Sequence, residues 1–377
     1  MPRYLALDGL RGVAALMVVL FHVRWTNHLT DTGFFVRGYL FVDLFFVLSG
    51  FVLSASYLKR IRNFPEIRRF LRKRFFRIYP LHLAMLAALV ALELLKVFGE
   101  KSGMWVPEHK PFTGTNSTID LIYNLLLLHS LNVSDHTSWN IPSWSISSEA
   151  ACYIVFAFAT RIGLTSSRLM GALSLVVALI CYGYVILQKG NLDATYDYGF
   201  LRGLAGMSLG IWLFHLSQRA LFARLSSRIL TTNFCVLLIS ASATLWFSTR
   251  VADIAAIIVF FASVLLLCQD RGVGASLLST KAVSFLGKIS YSIYMVHVPI
   301  LTCLGIVLRR VLPASARSID ANGYERFLMN PWLGDVLLAG IIALILFISV
   351  RLFKSIEEPW REFGKKCGIV KTKFATR

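Results

Sequence analysis

Long apolar runs recur along the whole chain and are separated by short polar segments. A helix needs about 20 residues to cross the ~30 Å hydrocarbon core of a bilayer. The predicted spans are Leu10–Trp25, Tyr39–Tyr57, Ile78–Phe98, Ser145–Thr160, Leu169–Leu187, Tyr198–Leu216, Ile229–Phe247, Ile254–Cys268, Phe285–Leu308 and Trp332–Phe353. The pattern predicts an all-α fold, a polytopic integral membrane helical bundle with about ten transmembrane helices.

A further apolar segment, TIDLIYNLLLLHSL from Thr118 to Leu131, is short and interrupted by polar residues. Loop charge indicates whether it crosses, because Lys and Arg concentrate in cytoplasmic loops. The stretch Leu58–Arg77 holds nine Lys/Arg against one Glu, so we expect it and the N-terminus to be cytoplasmic. If the segment does not cross the membrane, the later basic loops and the C-terminus are cytoplasmic as well. If it crosses, all of them move to the outer side. We therefore expect it to lie at the outer surface or to re-enter.

Composition agrees with a multi-pass membrane protein. Of 377 residues, 56% are hydrophobic and 16% are charged, whereas a soluble domain carries about a quarter charged residues. The formal net charge of +19 is distributed between the apolar runs, which favours contact with anionic lipid of the bilayer over nucleic acid. No linker or repeat divides the chain, so we predict one domain, 1–364, and a basic cytoplasmic tail, 365–377.

The first run, LDGLRGVAALMVVLFHV, carries three ionisable residues, although each costs at least ~2.5 kcal/mol at the centre of a bilayer. At about 100° per residue, Asp8, Arg11 and His22 share one helix face, and His22 lies about 16 Å from Arg11 toward the outer leaflet. Asp8 and Arg11 are spaced to pair. Histidine suits proton transfer near neutral pH. The alternative is a snorkelling Arg11 and a structurally packed His22.

The second run begins GYLFVDLFFVLSGF and returns toward the cytoplasm. Its Asp43 falls at a depth comparable with that of His22. Asp43 could therefore orient and stabilise the imidazole, as a carboxylate does in a catalytic triad. The alternative is a buried carboxylate bonded to backbone or to another helix.

A polar cluster, NIPSWSISSEAACY, opens the fourth run. Ser145 and Glu149 are four residues apart and share a face if the helix has already begun there. Ser147 joins Glu149 only if the backbone is not yet helical. The alternative is a helix N-terminus, which favours both hydroxyls and acids.

Basic residues also accumulate where the third run leaves the cytoplasm, in RRFLRKRFFRIYP. Those nearest the run are Arg72, Lys73, Arg74 and Arg77. Guanidinium groups bind phosphates well. The alternative is that these basic residues only follow the general preference of Lys and Arg for cytoplasmic loops. Further polar candidates within the apolar runs are Arg202, in FLRGLAGMSLG, and Tyr294 and His297, in KISYSIYMVHVP. A structural role is open for each of them.

In this order, the segments resemble the acyltransferase 3 family of membrane O-acyltransferases. LDGLRGVAALMVVLFH resembles the first-helix motif of that family and FVDLFFVLSGF the second. Five further segments resemble the later motifs of the family: RKRFFRIYP, PSWSISSEAACY, FLRGLAGMSLG, KISYSIYMVHVP and IEEPWREF. The resemblance runs from Tyr4 to about Phe363.

The resemblance implies transfer of an acyl group, most often acetyl, from cytoplasmic acetyl-CoA or another acyl-CoA to a carbohydrate hydroxyl. The acceptor would be an exopolysaccharide, a lipopolysaccharide O-antigen or a similar glycan, and the enzyme would lie in a bacterial inner membrane. The resemblance also implies Arg11 and His22 as an essential pair, and Ser147 and Glu149 as a Ser-x-Glu motif. We expect no permanently bound cofactor and no metal.

These inferences predict a mechanism. The α-helical face between Arg11 and His22 would line the route of the donor, held by the basic residues and Arg11, while the acceptor approaches near Glu149 and Arg202. His22 would act as general base for direct attack on the thioester, with an acyl-enzyme on His22 or Ser147 as the alternative. Other possible functions are acylation of a small-molecule glycoside and a proton-coupled transporter or flippase.

Overall fold

The computed structural model describes residues 4–32, 34–103, 110–163, 168–219, 229–231, 250–320 and 323–367. The α-helices are α1 Leu5–Phe21, α2 Phe41–Tyr57, α3 Phe64–Lys101, α4 Thr118–Leu125, α5 Trp144–Arg161, α6 Arg168–Lys189, α7 Gly199–Ser217, α8 Arg250–Leu267, α9 Val273–Leu278, α10 Lys281–Val311, α11 Pro331–Leu352 and α12 Glu358–Lys366. A π-helical turn, Phe353–Glu357, joins α11 to α12, and the short antiparallel strands are β1 Arg317–Ile319 and β2 Glu325–Phe327. The 3₁₀ turns are Thr30–Thr32, Phe34–Leu40, Gly114–Asn116, Ile141–Ser143 and Ala314–Ala316.

The described part of the chain is mostly helical and contains six helices long and apolar enough to cross a membrane. They are Phe35–Tyr57, Phe64–Lys101, Gly171–Lys189, Gly199–Ser217, Lys281–Val311 and Pro331–Lys366. Val251–Leu267 is a shorter apolar helix. The molecule is a multi-pass membrane protein.

The predicted spans correspond to these helices with three differences. Leu10–Trp25 and Ser145–Thr160 form α1 and α5, which are helical but fall outside the set of six. The predicted span Ile229–Phe247 lies outside the described residues after residue 231, and the predicted tail lies outside them after residue 367.

The predicted basic loop is largely helical in the structure, because α3 begins at Phe64 and continues for 38 residues. Asn63 caps the helix by accepting a hydrogen bond from the backbone N–H of Glu66 at 3.0 Å, and a proline follows in the first turn. At 1.5 Å per residue, α3 is about 57 Å long and exceeds the thickness of a bilayer core. The basic residues therefore extend a transmembrane helix beyond the membrane.

Glycines allow the central helices to cross at backbone contact. A Cβ on Gly287 of α10 would lie 1.9 Å from the carbonyl oxygen of Asp8 in α1, and one on Gly12 would lie 2.6 Å from the backbone nitrogen of Gly287. In the same way, a Cβ on Gly50 of α2 would lie 2.0 Å from the carbonyl oxygen of Met207 in α7. These crossings fix α1 against α10 and α2 against α7.

The segment from Thr118 to Leu131 contains only the eight-residue helix α4. Its length of about 12 Å is too short to cross a bilayer core. Asn124, at its end, is fully buried and donates hydrogen bonds to the carbonyl of Asp120 and the hydroxyl of Ser138, both at 2.9 Å. The segment therefore turns its polar residues toward the bundle and leaves Ile119, Ile122 and Leu126 exposed.

Candidate active site

Two cavities lie along the first helix. The large cavity has a volume of about 540 Å³, and its lining includes His22, Tyr39, Trp144, Arg202 and Tyr324. The small cavity has a volume of about 40 Å³, and its lining includes Arg11, Ser49, Ser145 and Glu149. Val42 and Tyr294 line both cavities. The two ends of α1 thus face two spaces that share one wall.

His22 lies directly after the last turn of α1, where it forms the helix C-cap. Its Nδ1 atom is 2.8 Å from the carbonyl oxygen of Val18. A carbonyl only accepts, so Nδ1 carries the proton of the neutral ring and Nε2 keeps its lone pair. Because His22 lines the large cavity, this tautomer suits a general base acting on a ligand there.

His297, a second candidate, contacts His22. Its Nε2 atom is 3.4 Å from Nδ1 of His22, and the two rings meet edge to face with centroids 4.9 Å apart. His297 is fully buried, and its Nδ1 atom has no hydrogen-bond partner in the described part of the chain. The structure therefore places His297 behind the nitrogen of His22 that fixes the tautomer.

Asp43 is not bonded to His22, contrary to the sequence-based hypothesis, but forms a fully buried ion pair with Arg202. The carboxylate accepts hydrogen bonds from Nη2 of Arg202 at 2.6 Å and from Nε at 3.1 Å, and another from Tyr182 at 3.1 Å. Arg202 also donates to the carbonyl oxygens of Tyr39 and Ala194. Asp43 and Arg202, predicted as separate site residues, thus form one ion pair at the edge of the large cavity.

Ser147 does not share a site with Glu149, because α5 has already begun at Trp144. Its hydroxyl donates to the carbonyl oxygen of Leu127 at 2.6 Å and lies 2.9 Å from the hydroxyl of Ser130. It also accepts the backbone N–H of Ser130 at 3.2 Å. Ser147 is fully buried and holds the end of the 118–131 segment against the bundle.

Glu149 and Ser145, predicted to share a helix face, both line the small cavity. The Oε1 atom of Glu149 accepts hydrogen bonds from the hydroxyls of Ser49 at 2.8 Å and Tyr153 at 2.5 Å. The hydroxyl of Ser145 is 2.8 Å from that of Tyr294. The small cavity is therefore lined by a carboxylate and by hydroxyl groups, together with the guanidinium of Arg11.

The basic residues predicted on the third run lie at the Arg11 end of the bundle. We call Arg72, Lys73, Arg74 and Arg77 the α3 basic cluster. Arg74 donates to the hydroxyl of Tyr57 at 3.2 Å, and its guanidinium group lies over the rings of Tyr57 and Tyr153. The Nε atoms of Arg72 and Arg74 are buried and have no hydrogen-bond partner among the described residues. The four side chains are only partly buried, and guanidinium and ammonium groups are of the kind that bind phosphate oxygens.

Sequence reasoning missed three residues at the Arg11 end: Ser49, Tyr153 and Glu357. Glu357 is buried in the π-helical turn and accepts a hydrogen bond from the hydroxyl of Ser292 at 2.7 Å. All three lie within segments that carry the family resemblance, in SGF, EAACY and IEEPW. Their position inside those segments is the signal by which the sequence could have identified them as site residues.

The large cavity combines aromatic rings with cationic side chains that are already paired. Ion pairs involving its cationic side chains are Arg24–Asp320, Lys96–Glu93, Lys189–Asp197, Arg202–Asp43 and Arg309–Glu325. Trp25, Tyr39 and Trp144 are among the aromatic residues of the lining. A lining of aromatic groups with fixed polar groups suits a ligand with both apolar faces and hydroxyls.

Comparison with known proteins decides the family. The family model described as an acyltransferase domain, of the acyltransferase 3 family, matches residues 4–351. The chain belongs to the acyltransferase 3 family. This membership confirms the resemblance read from the motifs, and with the apolar helices it identifies a membrane-bound acyltransferase.

Relatives within this acyltransferase family carry compatible names. The chain is 25% identical over 376 residues to a Komagataeibacter xylinus protein provisionally named membrane-bound transacylase BcsY, covering 96% of this chain and 84% of that protein. It is 24% identical over 330 residues to a Bacillus subtilis protein provisionally named peptidoglycan O-acetyltransferase YrhL, covering 79% of this chain and 49% of that protein. It is also 30% identical over 200 residues to acyltransferase MdmB of Streptomyces mycarofaciens, covering 49% and 47% of the two chains. No solved structure matches the chain.

Proposed function

We propose that this acyltransferase moves an acetyl group from cytoplasmic acetyl-CoA to a hydroxyl of a glycan on the outer side of a bacterial inner membrane. The observation that carries the proposal is the pair of cavities along α1, one lined by Arg11 and the other by His22, with Val42 and Tyr294 between them. Such a pair separates a donor side from an acceptor side within one protein.

The α3 basic cluster supports a nucleotide donor at the Arg11 end. Lys and Arg favour the cytoplasmic side, which is the side that contains acyl-CoA, and the charged ends of the four partly buried side chains of the α3 basic cluster offer donors to its phosphates. In this orientation both termini are cytoplasmic, as an even number of about ten membrane crossings requires.

The lining of the large cavity supports a carbohydrate acceptor. Its cations are paired, and its aromatic rings offer surfaces to the C–H faces of a sugar. The relative named peptidoglycan O-acetyltransferase supports a polysaccharide over a small-molecule glycoside. Paired intramembrane charges such as Asp43–Arg202 also favour a fixed scaffold over a proton relay, which disfavours a transporter.

The chemistry follows from the tautomer of His22. Nε2 accepts the proton of the acceptor hydroxyl as its oxygen attacks the thioester carbonyl. The new C–O bond forms, the C–S bond breaks, and the proton passes from Nε2 to the leaving sulfur to give free CoA. Direct attack is favoured over an acyl-enzyme on Ser147, because the hydroxyl of that residue is buried in bonds to Leu127 and Ser130.

The test is acetyl transfer in membrane vesicles that carry the glycan of the host and receive radiolabelled acetyl-CoA. His22→Ala should lower incorporation by about 10²–10⁴-fold, the usual contribution of general acid–base catalysis. His28→Ala is the matched control, because His28 is exposed, lines neither cavity and contacts Asp335 and Trp332 instead. Retained incorporation in His22→Ala, or loss in both variants, contradicts the role of His22. Absence of incorporation by the wild-type protein contradicts the function.

A further inference from the structure

The wall between the two cavities consists of Val42 and Tyr294, and both are held in place. The hydroxyl of Tyr294 is 2.8 Å from that of Ser145 and donates to the carbonyl oxygen of Pro142 at 3.0 Å. Its ring contacts the rings of Phe45 and His297, each with centroids 5.8 Å apart. A tyrosine anchored at both its hydroxyl and its ring does not move aside without breaking these contacts.

Val42 is equally restricted. It is buried, with 5% of its surface exposed, and lies in the first turn of α2. A β-branched side chain in a helix has one strongly preferred rotamer. The helix itself is fixed by the backbone contact between Gly50 and Met207. The wall therefore has a defined position on both sides.

The small cavity is narrow compared with the large one. Its volume of about 40 Å³ is space for roughly three ordered waters, at 10–15 Å³ each. An acetyl group has three non-hydrogen atoms and matches this space. A propionyl or butyryl group exceeds it by one or two carbons, and close-packed interiors do not absorb an added methylene without cost.

We propose that Val42 and Tyr294 limit the acyl group to acetyl. The inference rests on the proposed function, since it requires that the thioester arrive from the Arg11 end. The acyl group would occupy the small cavity with its methyl group against Val42 and its carbonyl carbon beside the edge of this wall, where the two cavities adjoin and a hydroxyl in the large cavity attacks. A longer acyl chain would collide with Val42 before its carbonyl reached that boundary.

The expected selectivity is set by one or two methylene groups. One added methylene in an apolar pocket changes kcat/KM by about 10–200-fold. We therefore expect the wild-type protein to use propionyl-CoA at least about 10-fold less efficiently than acetyl-CoA, and butyryl-CoA less efficiently again.

The test measures CoA release from acetyl-, propionyl- and butyryl-CoA by the full-length protein in membranes that contain the host glycan. Val42→Ala enlarges the small cavity and should raise the ratio of butyryl to acetyl kcat/KM at least about 10-fold. Val42→Ile should do the opposite and lower the ratio of propionyl to acetyl. Val47→Ala is the matched control, because Val47 is a fully buried valine of the same helix that lines neither cavity. It should leave both ratios unchanged.

The outcomes separate the two proposals. If the wild-type protein releases no CoA from any donor, the proposed function fails. If it uses butyryl-CoA as well as acetyl-CoA, the acyl limit fails and the function stands. Unchanged ratios in the Val42 variants, or equal changes in Val47→Ala, overturn the assignment of the wall. If Val42→Ala does not fold, Val42→Ile decides the question with the opposite sign.

Discussion

At the scale of single residues, the predicted site contains two kinds of side chain. Some have polar atoms that face a cavity, and others have their polar atoms hydrogen-bonded to buried parts of the protein. His22 keeps one ring nitrogen free of protein hydrogen bonds in the described chain, and Glu149 lines a cavity. Asp43, Arg202 and Ser147 are instead buried in bonds to other parts of the protein. These two groups should respond differently to substitution.

Asp43→Asn should destabilise the protein by about 3–5 kcal/mol, because it leaves the guanidinium of Arg202 buried without its counter-ion. Thermal unfolding in detergent measures the change. Lys365→Met, which removes an exposed pair with Glu362, is the control and should change stability by less than about 1 kcal/mol. A loss of similar size in both variants would argue against a structural role for the Asp43–Arg202 pair.

Ser147→Ala should lower stability by about 1–3 kcal/mol, since the backbone N–H of Ser130 loses its acceptor. The folded fraction should still transfer acetyl groups, measured as incorporation per folded molecule beside His22→Ala. Capture of a covalent acetyl group on Ser147 by mass spectrometry would disprove this reading.

The sequence allowed the Ser147 outcome to be anticipated conditionally, because periodicity alone shows that Ser145 and Glu149 share a face once α5 is helical. It did not allow the partner of Asp43 to be identified. Arg202 is 159 residues away in sequence, and equal depth in two helices does not fix how each is rotated. Pairings of this kind depend on tertiary packing.

At the scale of elements, the helices form where apolar periodicity predicts them, but their close crossings depend on single glycines. The α1–α10 crossing brings His22, at the end of one helix, into contact with His297 of the other. Sequence pattern predicts helices well because it depends on local spacing. It does not predict which glycine faces a neighbouring backbone.

Gly287→Ala should destabilise the protein by at least about 3 kcal/mol, since its methyl group would overlap the carbonyl oxygen of Asp8. Gly305→Ala in the same helix is the matched control. A Cβ there meets nothing within 4 Å, and alanine in a helix is favoured over glycine by up to about 1 kcal/mol. Unfolding temperatures of the two variants should therefore move in opposite directions, and a shared direction would contradict the crossing.

At the scale of the whole molecule, the proposed function places a phosphate-bearing donor at one end and an acceptor at the other. The α3 basic cluster and α12 lie at the first end, where the rings of Phe76 and Trp360 stack with centroids 5.8 Å apart. At the His22 end, side chains from the connections at 137–142, 193–196 and 324–327 line the large cavity. Both ends are formed by residues far apart in sequence.

Labelling of single cysteines by a membrane-impermeant maleimide in intact cells should show this orientation. In a background without the native cysteines, Asp135→Cys should react directly, because the Asp135 side chain is almost fully exposed at the His22 end. Lys365→Cys should react only after the cells are permeabilised. Reaction of Lys365→Cys in intact cells would invert the orientation and remove the cytoplasmic donor.

Arg11 lies within α1 and His22 is the C-cap of the same helix, so the distance between them is insensitive to loop motion but sensitive to chain length. One residue inserted between them would turn His22 by about 100° and move it 1.5 Å along the axis, away from His297 and the wall at Val42. Four inserted residues would nearly restore the rotation but lengthen the interval by about 6 Å. Insertions and deletions in this interval should therefore be far less tolerated than amino-acid replacements, and the count of ten intervening residues becomes a functional trait in its own right.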